Sequence, residues 1–261
     1  MLPAIAWCRA GTADVSAAPR PFFVLLPGLD GSGHLFAPFM EAWRALSHRT
    51  ENGCVVVSLP RDRHIPYAEL PAHVLAGLPA AARKGPVVVL GESCCGPLAL
   101  RLAAQCELDV RAVVMVASFA RYPRNMLRLL ASLSPLSWLL RLPLPSGLLR
   151  HYCFGDAAGA SLLQQLREAV AANVPRVMAQ RLRDALRIDV RPELEKITVP
   201  VLYLRPEDDR LVPASALAPL RAGLRDLQIV TLAGPHFILQ TRPRECARVI
   251  DDLFRRLPRT Q

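Results

Sequence analysis

The stretch Val87-Val88-Val89-Leu90-Gly91-Glu92-Ser93-Cys94-Cys95-Gly96 constrains the fold more than any other. Four consecutive apolar residues read as a strand buried on both faces. A turn of small residues follows, and Pro97 to Ala103 then has a helical pattern. A strand, a sharp turn and a helix put Ser93 at the apex, with its side chain clear of the sheet edge on a strained backbone. Such a turn needs small residues two positions either side of the serine. Gly91 meets that need, whereas Cys95 stands where a second glycine is usual. The turn must therefore hold an extra CH2SH where the helix packs on the sheet.

The same rhythm recurs along the chain. Apolar runs at 22–26, 54–59, 112–117, 199–204 and 227–232 read as buried strands, and a short strand with an edge hairpin is expected near Ile5 to Arg9. Helical patterns fall between them at 35–46, from Tyr67 to Arg83, at 214–224 and at 242–256. Alternation of this kind predicts parallel β-α-β units, hence an open α/β sheet with helices on both faces. From Phe119 to Val190 the strands stop. Leucine-rich helical patterns around Met126 to Leu130 and Trp138 to Leu142 are broken by Pro135, Pro143 and Pro145, and amphipathic stretches follow at 160–172 and 175–186. We read residues 119–190 as an inserted helical cap (lid), and residues 1–118 with 191–261 as the core. Trp138, Phe154 and the cap leucines suit either an acyl pocket or the cap's own small core.

Composition excludes several classes. At 52% hydrophobic residues the chain is not disordered, and no run of about 18 apolar residues suggests a membrane span. The N-terminus lacks a basic start and a long apolar run, so a cytoplasmic protein is expected. Seven cysteines without C-x-x-C spacing fit reduced thiols better than disulfides or zinc. No metal or nucleotide motif appears, and no cofactor is expected. The net charge of +10 invites a nucleic-acid reading, but Lys84 and Lys196 are the only lysines and no zinc-finger or RNA-binding motif is present. The arginine skew suits a biased genome as well as a function. Within 119–190, ten arginines face four acids, a surplus of six. That surplus suits the steering of an anionic acyl carrier, and suits equally a solvated face.

Taken in order, the glycine-rich loop Pro27-Gly28-Leu29-Asp30-Gly31-Ser32-Gly33, the serine turn, the acids Asp208 and Asp209 after a late strand, and His236 after the last strand resemble the α/β-hydrolase family. Leu26 to Gly33 with Leu35-Phe36 is similar to the PGxDGTG-type branch of bacterial hydrolases and plant plastid acyltransferases. The resemblance covers nearly the whole chain. It implies a Ser93 nucleophile, with His236 as its base and an acid that orients His236. The family pattern sets that acid four residues before the proline of a Leu-Val-Pro ending, which is Asp209 before Pro213. Pro206 replaces the usual glycine three residues ahead, so Asp208 remains a competitor. The backbone N–H groups of Leu29 and Cys94 would form the oxyanion hole, with Asp30 bracing its loop. Serine at the elbow points to carboxylic esters as small-molecule substrates. The alternative is an acyltransferase or thioesterase with the same triad, acting on carrier-protein-linked or CoA-linked acyl groups. His34 and His64 also lie in loops at strand ends, where either could line the pocket or stand as a solvated or capping residue.

Overall fold

A computed structural model describes residues 5–6, 21–46, 53–105, 107–123, 136–139, 141, 145–155 and 159–257. The strands are β1 Ile5–Ala6, β2 Phe22–Leu26, β3 Cys54–Val56, β4 Pro86–Glu92, β5 Asp109–Val116, β6 Val201–Pro206 and β7 Leu227–Leu232. They form one sheet in the order β1-β3-β2-β4-β5-β6-β7. All pairs are parallel except β1 with β3. The remainder of the expected N-terminal hairpin lies outside the described residues.

β2, β4 and β5 are continuous apolar runs because both sheet faces are covered. Val24, Leu26, Val87 and Val89 enter the core on one face, and Phe23, Leu25, Val88 and Leu90 the core on the other. Adjacent residues of a strand point to opposite faces, so each run feeds two cores. The second core holds an aromatic group, in which the Phe23 ring lies 4.9 Å from Trp43 and 5.2 Å from Phe254. These come from the helices Ala37–Arg44 and Pro243–Arg256, which pack together there. The direction in which strands are added across the sheet reverses between β2 and β4, since β3 lies on one side of β2 and β4 to β7 on the other. Ligands of open parallel sheets bind beyond the strand C-termini at such a point.

Some elements differ from the sequence reading, each for a local reason. β3 ends at Val56. Val57 still donates to the Leu25 carbonyl, and the chain then leaves the sheet so that Leu59 donates to Gly31. The expected helix from Tyr67 to Arg83 is three pieces, Tyr67–Glu69, Leu70–Gly77 and Ala80–Lys84. Leu78 is extended ahead of Pro79, as proline requires of its predecessor. β5 begins at Asp109, earlier than its apolar run, with a register shift opposite Val87 and Val88. β6 starts after Pro200, which has no N–H for the ladder.

Between β5 and β6 most of the described residues are helical, and Arg121 and Asp189 form an isolated β-bridge. The helical pieces include Leu136–Leu139, Ser146–Leu149, the π-turn Arg150–Phe154, Ala160–Ala171 and Pro175–Arg187. The pattern around Met126 to Leu130 lies outside the described residues. Two small cores tie this segment to the loops beyond the sheet. Phe154, Leu163 and Leu166 pack with Leu35, and Ala185 and Leu186 pack with Phe119 and Val212. Phe154 is fully buried against Phe237, and Trp138 is exposed.

Candidate active site

Ser93 follows β4 directly and has φ 51, a left-handed backbone that a serine adopts only where its surroundings enforce it. The enforcement is visible on both flanks. A Cβ on Gly91 would lie 2.4 Å from the Cys95 carbonyl oxygen, and one on Gly96 would lie 1.9 Å from Ser118 Oγ. The tight contacts thus fall on Gly91 and Gly96. Cys95 is buried in the first core, beside Cys94, together with strand residues Val87 and Val89 and with Leu98 and Leu102 of the following helix. Its hydrogen bond with Cys94, and then burial, push the Cys95 thiol well above its ordinary range, which leaves it a packing residue.

His236 lies in the loop after β7 and is 3% exposed. Its Nε2 is 3.1 Å from Ser93 Oγ. Its Nδ1 is 3.0 and 2.9 Å from the two carboxylate oxygens of Asp209. Asp209 Oδ1 also accepts the N–H groups of Leu211 at 2.9 Å and Val212 at 2.8 Å. With the carboxylate accepting from Nδ1–H, Nε2 presents its lone pair to the serine hydroxyl. Asp208, the competing acid, is exposed, and its backbone N–H donates to the Gly234 carbonyl.

The loop after β2 closes on the other side of the serine. A Cβ on Gly28 would lie 3.8 Å from Ser93 Cβ. Gly31 has φ 68 and donates to the Gly28 carbonyl at 3.0 Å, a tight turn that carries Leu29 and Asp30. Asp30 braces this loop, since its buried carboxylate accepts the Ser32 N–H at 2.8 Å and the Ser32 hydroxyl. From the helical segment, Asn173 Nδ2 donates to the Asp30 carbonyl at 3.0 Å, and Arg181 Nη1 donates to the carbonyls of Leu29 at 3.3 Å and Asp30 at 3.2 Å. His34 is exposed, and His64 pairs with Asp184 at 2.6 Å; neither joins the Ser93 group.

Four supporting residues escaped the sequence reading. Ser118 Oγ donates to the Ser93 carbonyl at 2.5 Å, and Ser118 in turn exchanges hydrogen bonds with Tyr203, whose hydroxyl donates to its carbonyl at 2.7 Å. Glu92, buried next to Ser93, accepts Gln240 Nε2–H at 2.9 Å and the Gly28 N–H. Burial pushes the Glu92 carboxyl up to about 7, with the charge of Asp30 acting in the same direction, while the bonds from Gln240 and Gly28 and the nearby His236 oppose the rise. Glu92, a charged residue between the apolar run Val87 to Leu90 and Ser93, is the one sequence signal that could have pointed to this network.

The family model described as the alpha/beta hydrolase family matches residues 23–249. The chain belongs to the alpha/beta hydrolase family. Among curated relatives of this hydrolase, the pimeloyl-[acyl-carrier protein] methyl ester esterase of Xanthomonas oryzae pv. oryzae is 32% identical over 235 residues, covering 82% of this chain and 87% of the relative. The biotin biosynthesis bifunctional protein BioHC of Cellvibrio japonicus is 30% identical over 252 residues, covering 91% of this chain. This chain spans only about half (48%) of that relative's length. Among solved structures, MenH from S. aureus superposes on the hydrolase with a TM-score of 0.77 at 16% identity, covering 98% of both chains. The enol-lactonase from Burkholderia xenovorans LB400 gives 0.73 at 17% identity, covering 90% of this chain and 92% of its own. At those identities the two structures speak for the fold alone.

Proposed function

We propose that this alpha/beta hydrolase cleaves carboxylic esters through an acyl-enzyme on Ser93. The observation that carries the proposal is the unbroken chain from Asp209 through His236 to Ser93, with contacts of 2.9 and 3.1 Å. Serine is a weak nucleophile until a base takes its proton, and His236 Nε2 is within hydrogen-bond reach to do so. As Ser93 Oγ bonds to the ester carbonyl carbon, its proton passes to Nε2, and Asp209 stabilises the imidazolium. The N–H groups of Leu29 and Cys94 stabilise the oxyanion. Collapse expels the alcohol, which takes the proton from Nε2. Water then repeats the sequence on the acyl-enzyme, giving the acid and free Ser93.

Segment 119–190 serves as the lid over this site and contributes to substrate choice. The esterases among the relatives favour an ester substrate, and their carrier-protein specificity favours an acyl chain borne on an anionic carrier, to which exposed Arg141, Arg150 and Arg176 are suited. A cytoplasmic setting, where thiols stay reduced, suits the spacing of the seven cysteines. No helix among the described residues is long and apolar enough to cross a membrane.

The test is ester hydrolysis by folded Ser93→Ala protein, expected to fall by roughly 10⁶-fold in kcat. Turnover retained in that variant contradicts the proposal. Product analysis with and without an alcohol acceptor separates hydrolysis from acyl transfer.

A further inference from the structure

Among the described residues, two that are not glycine have a left-handed backbone, Ser93 and Ala117. The first is the elbow. The second, with φ 49, directly follows β5, the strand next to the one that carries the elbow. Such a conformation is costly for an L-residue and persists only where the surroundings enforce it. Ala117 is buried, and its N–H still donates to the Leu204 carbonyl at 3.1 Å, so it keeps its place beside β6. The chain turns at Ala117, and what the turn delivers is Ser118.

Ser118 is fully buried and held by three hydrogen bonds. Its N–H donates to the Tyr203 hydroxyl at 3.1 Å, that hydroxyl donates to the Ser118 carbonyl at 2.7 Å, and Ser118 Oγ donates to the Ser93 carbonyl at 2.5 Å. Burial pushes the Tyr203 phenol well above its ordinary range, so it keeps the proton it donates. Gly96 makes room for the Ser118 hydroxyl, since a Cβ there would overlap it.

The carbonyl that Ser118 holds belongs to the Ser93-Cys94 peptide, whose N–H is the oxyanion donor of Cys94. A peptide is planar and trans, so its C=O and N–H point in opposite directions and fixing one fixes the other. The Ser93 carbonyl also accepts the Gly96 N–H. Two donors on this oxygen polarise the peptide and strengthen its N–H as a donor in turn. The other oxyanion donor is built alike. The Leu29 N–H belongs to the Gly28-Leu29 peptide, and the Gly28 carbonyl accepts the Gly31 N–H at 3.0 Å. At Gly28 the tie is local to the loop, whereas at Ser93 one of the two ties crosses from the end of the neighbouring strand.

We propose that Ser118 is a positioning residue for ester cleavage: its hydroxyl, aimed by the left-handed turn at Ala117 and clamped by Tyr203, holds the Ser93-Cys94 peptide so that the Cys94 N–H meets the oxyanion. The proposal rests on the reading of Ser93 as nucleophile and of the Cys94 N–H as oxyanion donor. The charge it serves exists only along the reaction path, so its loss falls on kcat and not on substrate binding.

The test is Ser118→Ala, assayed with p-nitrophenyl butyrate and with two inhibitors of matched chain length. One is a trifluoromethyl ketone, to whose carbonyl carbon Ser93 Oγ adds while its proton passes to His236, leaving a tetrahedral oxyanion and no leaving group. The other is the corresponding trifluoromethyl carbinol, which forms no adduct. In Ser118→Ala, kcat is expected to fall about tenfold with KM within about twofold, and the inhibition constant of the ketone to rise about tenfold while that of the carbinol stays put. Tyr203→Phe keeps the ring and removes the clamp, and is expected to shift kcat and the ketone constant together by about threefold. A merely structural role would lower the melting temperature and leave the ratio of the two inhibition constants at its parent value. That outcome in Ser118→Ala, or in Tyr203→Phe should Ser118→Ala not fold, overturns the proposal, as does a loss confined to KM. If folded Ser93→Ala retains turnover, the acyl-enzyme reading falls and takes this proposal with it. If Ser93→Ala is inactive while Ser118→Ala matches the parent in kcat and in both constants, this proposal falls alone.

Discussion

The two sides of Ser93 are built from different parts of the chain. On one side, His236 and Asp209 sit in the loops after β7 and β6, and Asp209 is held by the N–H groups of Leu211 and Val212 from its own loop. The helical segment touches this side, as where the Phe237 N–H meets the Cys153 carbonyl, yet supplies no member of the hydrogen-bonded chain. On the other side, the loop that bears Leu29 is tied down from three directions. Glu92 and Gln240 hold it at Gly28, Asp30 braces it internally, and Asn173 and Arg181 hold it from the helical segment. In the proposed mechanism proton transfer is set by the sheet and its adjoining loops, whereas the oxyanion side depends on residues far apart in sequence. Precise placement of donors is what lowers the barrier there, so that side is where distant substitutions reach the chemistry.

The sharpest way to break the comparison is at Asp209. Asp209→Asn leaves a side chain of the same size but favours the wrong imidazole tautomer, and kcat is expected to fall by about 10⁴-fold. Asp208→Asn, at an exposed position, is expected to leave kcat within about twofold. Equal losses in steady-state assays of the two would undo the assignment of the acid.

On the other side, Asn173→Ala removes one tether of the Asp30 carbonyl. A loss of roughly tenfold in kcat with a smaller change in KM is expected, because the donors bind charge that exists only in the transition state. A change confined to KM would mean that Asn173 positions substrate and not the loop.

Glu92 joins the two sides, and its effect is a matter of pH. Its carboxyl is raised from 4.5 to about 7 in the fold, so the folded state favours the protonated form. The stability it contributes is complete below about 4.5 and is lost as pH rises through about 7, a change of roughly 3 kcal/mol. Glu92→Gln removes that slope. Its melting temperature relative to the parent is expected to be higher at pH 8 than at pH 5, by thermal denaturation at both. Parallel curves would contradict the raised carboxyl. The smallest effect is expected at Cys95→Gly, since the close contacts fall on Gly91 and Gly96. That variant loses a small buried side chain, worth about 1–2 kcal/mol by chemical denaturation, and keeps its esterase activity.

The contrast between the two sides also marks what was legible in the sequence. Apolar runs such as Val87 to Leu90 revealed strands because a buried parallel strand leaves a local signature. The turn at Ser93 and the loop holding His236 were legible from small residues at strand ends, and Asp209, with Asp208 as its competitor, from the Leu-Val-Pro ending that resembles the family; the structure brings Ser93, His236 and Asp209 within hydrogen-bond distance. Local interruptions were read less well. Pro79 breaks the helix expected from Tyr67 to Arg83, and β3 is half its apolar run. The ties of Ser118, Gln240, Asn173 and Arg181 had no local signature at all. Asn173 and Asp30 lie 143 positions apart, and only the completed fold makes them neighbours. For the same reason Phe154 could not be told from a pocket residue until its packing on Phe237 was seen.

The central claim is that His236 activates Ser93, and covalent labelling by a fluorophosphonate tests it most directly, since the reagent needs an activated serine but no natural substrate. Intact-protein and peptide mass spectrometry are expected to show one adduct, on Ser93, in the parent protein, no adduct in Ser93→Ala, and labelling slowed by at least about 10³-fold in His236→Ala. An adduct on another residue, or a labelling rate unchanged by His236→Ala, would contradict it.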